Sequence, residues 1–144
     1  MKKIPYVDLP AQWESDRNEL LPLIEEVLSG GNYVGGPEIE VFERAAADFC
    51  HTEFAVALNS GTDALTCALH GLGIKKGDEV ITPPNSFIAS TAAIVHVGAR
   101  PVFVDVSPDQ NIDTTRIESA VTENTKAIMP VHLTGRMTNM DEVG

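Results

Sequence analysis

The sequence predicts an α/β fold, a three-layer α/β/α arrangement around a mostly parallel sheet. Short, nearly continuous apolar runs alternate with longer segments whose apolar residues recur at helical spacing. This alternation is typical of βαβ units, in which helices cover both faces of a parallel sheet. The chain of 144 residues is long enough for one domain with a core, and its composition, 43% hydrophobic and 22% charged, is that of a globular protein.

The first part of the chain is predicted to be mainly helical. Apolar residues at helical spacing indicate a helix over Gln12–Leu28, which the following Ser-Gly-Gly ends. Pro37 is well placed to open a second helix over Glu38–Phe49. The apolar run Phe54–Leu58 predicts a short buried strand, and Thr62–Leu72 a helix ended by glycine.

The second part of the chain alternates regularly between strands and helices. Proline- and glycine-rich loops separate these elements, and the last helix is still open at the final residue. We therefore expect the sequence to be part of a longer chain. The predicted strands are Glu79–Thr82, Pro101–Val106 and Lys126–Val131, and the predicted helices are Phe87–Val97, Thr114–Val121 and one that starts at Met137.

Three loops are predicted to gather at one edge of this sheet. They are Asn59–Thr62, Pro83–Phe87 and His132–Arg136, and each follows a predicted strand. Ligands of open parallel sheets bind beyond the carboxyl ends of the strands, so these loops are where a site is expected.

Charge and composition exclude several classes of partner. A net charge of −11 argues against nucleic acid and against a membrane surface. No apolar run approaches the roughly 18 residues of a membrane-spanning helix, and the first ten residues lack the apolar core of a signal peptide. Cys50 and Cys67 fit no metal spacing, and no metal site is expected. Both cysteines are predicted to be free, buried thiols. Free thiols indicate a reducing compartment, by default the cytoplasm.

The stretch "NSGTDAL" has two interpretations. A helix that begins after Ser60 offers unpaired N–H groups and a partial positive charge, Gly61 allows close approach, and Thr62 adds a hydroxyl, so an anion such as phosphate could bind. Alternatively, Ser60 simply caps the helix, with Asp63 favourable in its first turn. The stretch matches neither a Walker loop nor a dinucleotide-binding glycine pattern.

Phe87 and His132 have similarly open interpretations. Phe87 follows a strand and a proline-fixed loop, so its ring could stack on a flat ligand, but it could equally be a core residue of the next helix. His132 at a strand end could be an acid–base group or a ligand-binding group, whereas a structural histidine is the simpler reading. None of the chain's lysines sits in a predicted buried position suited to a catalytic amine.

Five motifs in this order resemble the DegT/StrS family of pyridoxal-phosphate-dependent sugar aminotransferases. They are "GGNYVGGPEIEVFE", "NSGTDALTCAL", "KKGDEVITPPNSFIAST", "VGARPVFVDV" and "TKAIMPVHLTG". The resemblance implies the fold type I large domain, with residues 1–144 as its N-terminal portion. It implies transfer of an amino group from L-glutamate to a nucleotide-linked keto-sugar by a cytoplasmic homodimer.

The resemblance also implies roles for individual residues. Gly61 and Thr62, with Ser60 beside them, match the turn that binds the phosphate of pyridoxal 5'-phosphate, and Phe87 matches the aromatic that stacks on its ring. Three further residues match a loop near the sugar-nucleotide pocket, namely Tyr33, Gly35 and Gly36. His132 stands in a "VHLYG"-like stretch with Thr134 in place of tyrosine, and it receives no role.

The resemblance leaves the catalytic residues unplaced. The family's Schiff-base lysine and its aspartate at the pyridinium nitrogen are expected beyond Gly144, so residues 1–144 alone are predicted to be inactive. A sugar dehydratase of the same fold, with histidine in place of that lysine, stays open as an alternative. So does a non-catalytic regulatory protein that keeps the fold.

Overall fold

The computed structural model describes residues 4–144, which divide into two compact units after Ala57. The first unit contains two helices, α1 (Leu9–Ser29) and α2 (Pro37–Cys50). Both confirm the predicted helices and extend them by a few residues.

Local sequence explains where these two helices begin. The Asp8 side chain accepts a hydrogen bond from the Ala11 N–H and caps α1. Pro37 is the first residue of α2, where its missing N–H costs nothing. Helix α2 ends at His51, whose backbone is left-handed (φ 54°).

The second unit is a small α/β structure with three parallel strands. In chain order its elements are α3 (Gly61–Gly71), β1 (Glu79–Thr82), α4 (Ala89–His96), β2 (Arg100–Phe103), α5 (Ile117–Ala120), β3 (Thr125–Ile128) and α6 (Met140–Val143). The strand order is β2-β1-β3, and Val80 lies opposite both Pro101 and Ala127. The parallel sheet predicted from the alternating pattern is confirmed.

The core lies on both faces of the central strand β1. Val80 packs with Leu69 of α3 and Ile94 of α4 on one face. Ile81 packs with Ile112 and Ile117 on the other. Successive residues of a strand point to opposite faces, so the adjacent apolar residues Val80 and Ile81 require cover on both sides of β1.

The N-termini of α3 and α4 lie at the carboxyl edge of the sheet. Helix α4 packs on β1 and β2, and Leu69 of α3 packs with Val80 of β1. Each helix then returns through a short connection into the next parallel strand, so it runs antiparallel to that strand. Helix α3 has 11 residues and is ~16 Å long, close to the ~13 Å length of a four-residue strand. Its first turn therefore lies beside the strand exits.

A polar cluster closes the opposite, amino edge. The carboxylate of Glu79, which is only 4% exposed, pairs with the Arg100 guanidinium and accepts a hydrogen bond from the Thr122 hydroxyl at 2.7 Å. This cluster joins β1 to β2 and to the segment before β3. Its hydrogen bonds to Thr122 and Arg100 lower the pKa of Glu79 below its usual value.

Several predictions about the elements are wrong in extent or kind. The predicted strand Phe54–Leu58 does not form, because no neighbouring strand pairs with it and the Ala57 N–H is donated instead to the Glu43 carboxylate at 2.8 Å. Strands β2 and β3 end earlier than predicted. The helix expected over 114–121 is a 3₁₀ turn followed by the short α5. Cys50 and Cys67 are exposed rather than buried.

Within residues 4–144, no helix is long and apolar enough to cross a membrane. The same range holds no group of three or more histidine, cysteine, aspartate or glutamate side chains that could bind a metal ion.

Candidate functional site

The start of α3 combines a filled cap with free backbone donors. The Ser60 hydroxyl accepts a hydrogen bond from the Asp63 N–H at 3.1 Å and donates one to the Asp63 carboxylate at 2.9 Å. The predicted cap is thus confirmed, and the one proton of the Ser60 hydroxyl is already donated to Asp63. The N–H groups of Gly61 and Thr62 have no acceptor among the residues that the structure describes.

The space beside Gly61 is open. A methyl group added at this residue would have no atom within 4 Å apart from its chain neighbours and the backbone of its own helix. Two free N–H groups at a helix start, next to open space, can bind an anion whose oxygens approach the backbone. The start of α3 therefore fits a phosphate group.

Phe87 presents a free ring at the same edge of the sheet. It follows the loop after β1 and precedes α4, and it is 77% exposed. The alternative of a buried core phenylalanine is therefore wrong. The loop is held by two hydrogen bonds, from the Asn85 amide to the Gln110 carbonyl and from the Ser86 hydroxyl to Ser90, both at 2.9 Å. An exposed ring on a fixed loop can stack on a flat ligand.

The exit of β3 lies next to the exit of β1. The Met129 N–H donates to the Ile81 carbonyl at 2.7 Å, and the Thr82 hydroxyl donates to the Met129 carbonyl at 3.0 Å. The chain then passes through His132, which is exposed, and Thr134, whose backbone is left-handed (φ 56°). A left-handed β-branched residue is unusual and marks a tightly constrained turn.

The predicted sugar-nucleotide loop belongs to the first unit. Tyr33 is 73% exposed, and Gly35 and Gly36 take positive φ angles of 75° and 119° that only glycine adopts easily. Gly36 also caps α2. These residues are thus accessible on their own unit, while Ser60, Gly61, Thr62 and Phe87 all belong to the other.

Lysines in the described range lie away from the carboxyl edge. Lys75 and Lys76 occupy the connection that enters β1, and Lys126 is the second residue of β3, with its amine bonded to the Glu123 carbonyl at 3.1 Å. None of the three can reach a ligand beyond the strand exits.

Sequence reasoning missed Thr138, which shapes the exit of β3. Thr138 is 2% exposed, and its N–H donates to Nδ1 of His132 at 3.1 Å. No local pattern signals this contact, because a turn brings together two residues six positions apart. The predicted reading of His132 as a structural group is confirmed for Nδ1.

The parallel sheet carries the start of α3 and the exposed ring of Phe87 at its carboxyl edge. Its solved structural neighbours place the chain in the fold type I aminotransferase class. The family model "DegT/DnrJ/EryC1/StrS aminotransferase family" matches residues 14–144, and the chain belongs to this family.

Individual relatives match nearly the whole of this chain. A dTDP-3-amino-3,4,6-trideoxy-alpha-D-glucose transaminase of Streptomyces venezuelae is 46% identical over 96% of the chain and 37% of its own length. The crystal structure of S. venezuelae DesV in complex with a ketimine intermediate superposes with a TM-score of 0.94, at 44% identity over 99% of the chain and 39% of DesV. NtdA of Bacillus subtilis, solved with bound cofactor PMP, gives 0.93 at 36% identity over 99% of the chain and 33% of NtdA. The chain thus spans less than two fifths of each of these relatives.

Proposed function

We propose that the complete protein is a pyridoxal-phosphate-dependent aminotransferase that moves an amino group from L-glutamate to a nucleotide-linked keto-sugar. The start of α3 carries this proposal, because its free N–H groups and open space beside Gly61 suit the cofactor phosphate. The S. venezuelae transaminase, whose name specifies a dTDP-linked amino sugar, supports the substrate class. The PMP bound to NtdA supports the cofactor.

In this proposal each residue of the site has a separate task. Gly61 and Thr62 hold the phosphate through their N–H groups, and Ser60 keeps that turn in place by capping α3. Phe87 covers one face of the ring. When bound, the cofactor takes up the electron pair released as the donor's Cα–H bond breaks.

The remaining features of the proposal rest on the family. Residues 1–144 form the N-terminal portion of the large domain, and Tyr33, Gly35 and Gly36 border the sugar-nucleotide pocket. We further propose a cytoplasmic homodimer. The lysine that bonds to the cofactor lies outside residues 4–144, in line with the positions of Lys75, Lys76 and Lys126.

The test uses the complete protein encoded by the gene. Its visible absorption is recorded with pyridoxal phosphate, and L-glutamate is then added. We expect the band that the cofactor gains on bonding to a lysine, and we expect glutamate to bleach it. A band that ignores glutamate would contradict glutamate as the donor. Absence of any band would contradict the presence of a lysine that bonds to the cofactor. The dehydratase and the regulatory protein would then be the favoured functions.

The isolated chain provides the companion experiment. Residues 1–144 supplied with pyridoxal phosphate and L-glutamate are expected to form no 2-oxoglutarate. Formation of 2-oxoglutarate above the level of free cofactor would contradict the placement of the lysine.

A further inference from the structure

The imidazole of His132 has one nitrogen in use and one free. Nδ1 accepts the Thr138 N–H at 3.1 Å. A backbone N–H can be donated only to a nitrogen without a proton, so the neutral ring carries its proton on Nε2. The side chain of His132 makes this one hydrogen bond among residues 4–144, so Nε2 has no partner there, and the residue is exposed. The ring therefore offers a hydrogen-bond donor to its surroundings.

The backbone on both sides of this ring is firmly held. The Gly135 N–H donates to the His132 carbonyl at 3.1 Å. Buried Asn111 donates from its amide to the Met137 carbonyl at 3.2 Å, next to Thr138. A side chain oriented in advance loses little entropy when it binds a ligand.

His132 shares an edge of the sheet with the proposed cofactor residues. It follows four positions after the end of β3, and Phe87 follows five positions after the end of β1. Strands β1 and β3 are direct neighbours and run parallel, so both segments leave the sheet on the same side. A flat ligand on the ring of Phe87 would share this edge with His132.

We propose that His132 is a cofactor-binding residue whose Nε2–H donates to an oxygen carried by the pyridoxal ring. This inference rests on the proposed function, because it requires the ring to lie on Phe87. An anionic ring oxygen is the stronger acceptor for such a donor. Nδ1 sets the direction of the donor, and Nε2 makes the contact.

Two substitutions separate these nitrogens. His132→Asn places an amide oxygen near the position of Nδ1, so it keeps an acceptor for Thr138 and removes the outer donor. His132→Gln extends an amide N–H to about the position of Nε2, so it keeps the donor and removes the inner acceptor. His96→Asn is the matched control, because His96 ends α4 at the opposite edge of the sheet.

The readouts are the dissociation constant for PMP and the thermal midpoint of the complete protein without ligand. For His132→Asn we expect PMP binding to weaken about tenfold, the loss of one good hydrogen bond, at an almost unchanged midpoint. For His132→Gln we expect a lower midpoint and PMP binding within about threefold of the unsubstituted protein. His96→Asn should match the unsubstituted protein in PMP binding.

Three results would overturn the inference. Wild-type PMP affinity in His132→Asn would show that Nε2 contacts nothing on the cofactor. Weak binding in His132→Gln together with normal binding in His132→Asn would leave His132 a purely structural role. If the unsubstituted protein binds no PMP, the proposed function fails first and takes this inference with it. If glutamate bleaches the band of the unsubstituted protein, the proposed function holds, and the results for the two His132 variants then test this inference alone.

Discussion

At the scale of single residues, a substitution at Gly61 can change ligand binding without changing stability. Its backbone is helical and a methyl group would meet nothing, so Gly61→Ala should fold normally and should, if anything, favour the helix. The added methyl group would, however, project into the space proposed for the phosphate. We expect PMP to bind at least about tenfold more weakly while the thermal midpoint stays the same or rises. Gly71→Ala, also a position with open space in α3, is the control.

A substitution at Phe87 is a second case in which ligand binding should change without a change in stability. Its side chain is 77% exposed, so Phe87→Ala should change the free energy of unfolding by no more than about 0.5 kcal/mol. Loss of the stacking surface should weaken PMP binding. Equilibrium dialysis and chemical denaturation measure the two quantities. A large loss of stability with unchanged binding would contradict the stacking role.

Single residues differ in how far the sequence could predict them. The Ser-Gly-Thr turn was predictable because capping and anion binding both depend on local backbone geometry. The exposure of Cys50 and Cys67 was not, because burial depends on which elements pack together. The partner of His132 was also out of reach, since it depends on the path of the chain through a strained turn.

At the scale of elements, Glu79 joins β1 to β2 through its ion pair with Arg100 and to the segment before β3 through its hydrogen bond from Thr122. Its pKa is lowered in the folded protein, so the folded state binds this proton less readily than the unfolded chain does. The stabilisation is present above the unfolded value of 4.5 and is lost as the pH falls through the lower folded value. We expect the thermal midpoint to fall below about pH 4.5, and Glu79→Gln to flatten that dependence by removing the titrating group.

The control for this pH dependence is Glu118→Gln on α5, which carries an exposed carboxylate. It should leave the acid slope unchanged. An acid slope of Glu79→Gln equal to that of the unsubstituted protein would contradict the role of Glu79.

Among the elements, β1 and α3 were predictable and Phe54–Leu58 was not. Strand β1 is apolar at each central position and is buried throughout, so pattern and environment agree. Phe54–Leu58 is equally apolar, but a strand also needs a partner for its backbone groups, and its Ala57 N–H finds a side chain instead. Composition alone cannot supply that partner.

At the scale of the whole molecule, α1 leaves an apolar stripe exposed. Its 21 residues include none that is buried, and Trp13, Leu20, Leu23, Ile24 and Leu28 are each 42–58% exposed. Exposed apolar surface of this kind binds hydrophobic dyes and favours association. We expect residues 1–144 expressed alone to bind such a dye, and the double substitution Leu23→Lys and Ile24→Lys to lower its fluorescence.

Ser15→Lys with Asn18→Lys is the matched control, because it adds the same charge on the opposite face of α1. This pair should leave the dye signal unchanged. Equal losses in both pairs would mean that added charge, rather than the apolar stripe, governs dye binding.

The strand order has a consequence for synthesis on the ribosome. The central strand β1 is made first, and its partners at Val80, namely Pro101 and Ala127, are made 21 and 47 residues later. At roughly 5–20 residues per second, β1 waits about one to five seconds between its first and its second neighbour. During that interval one edge of β1 is unpaired and can contact other nascent chains. From the β2-β1-β3 order we therefore expect the yield of folded protein to depend on the translation rate between residues 101 and 127.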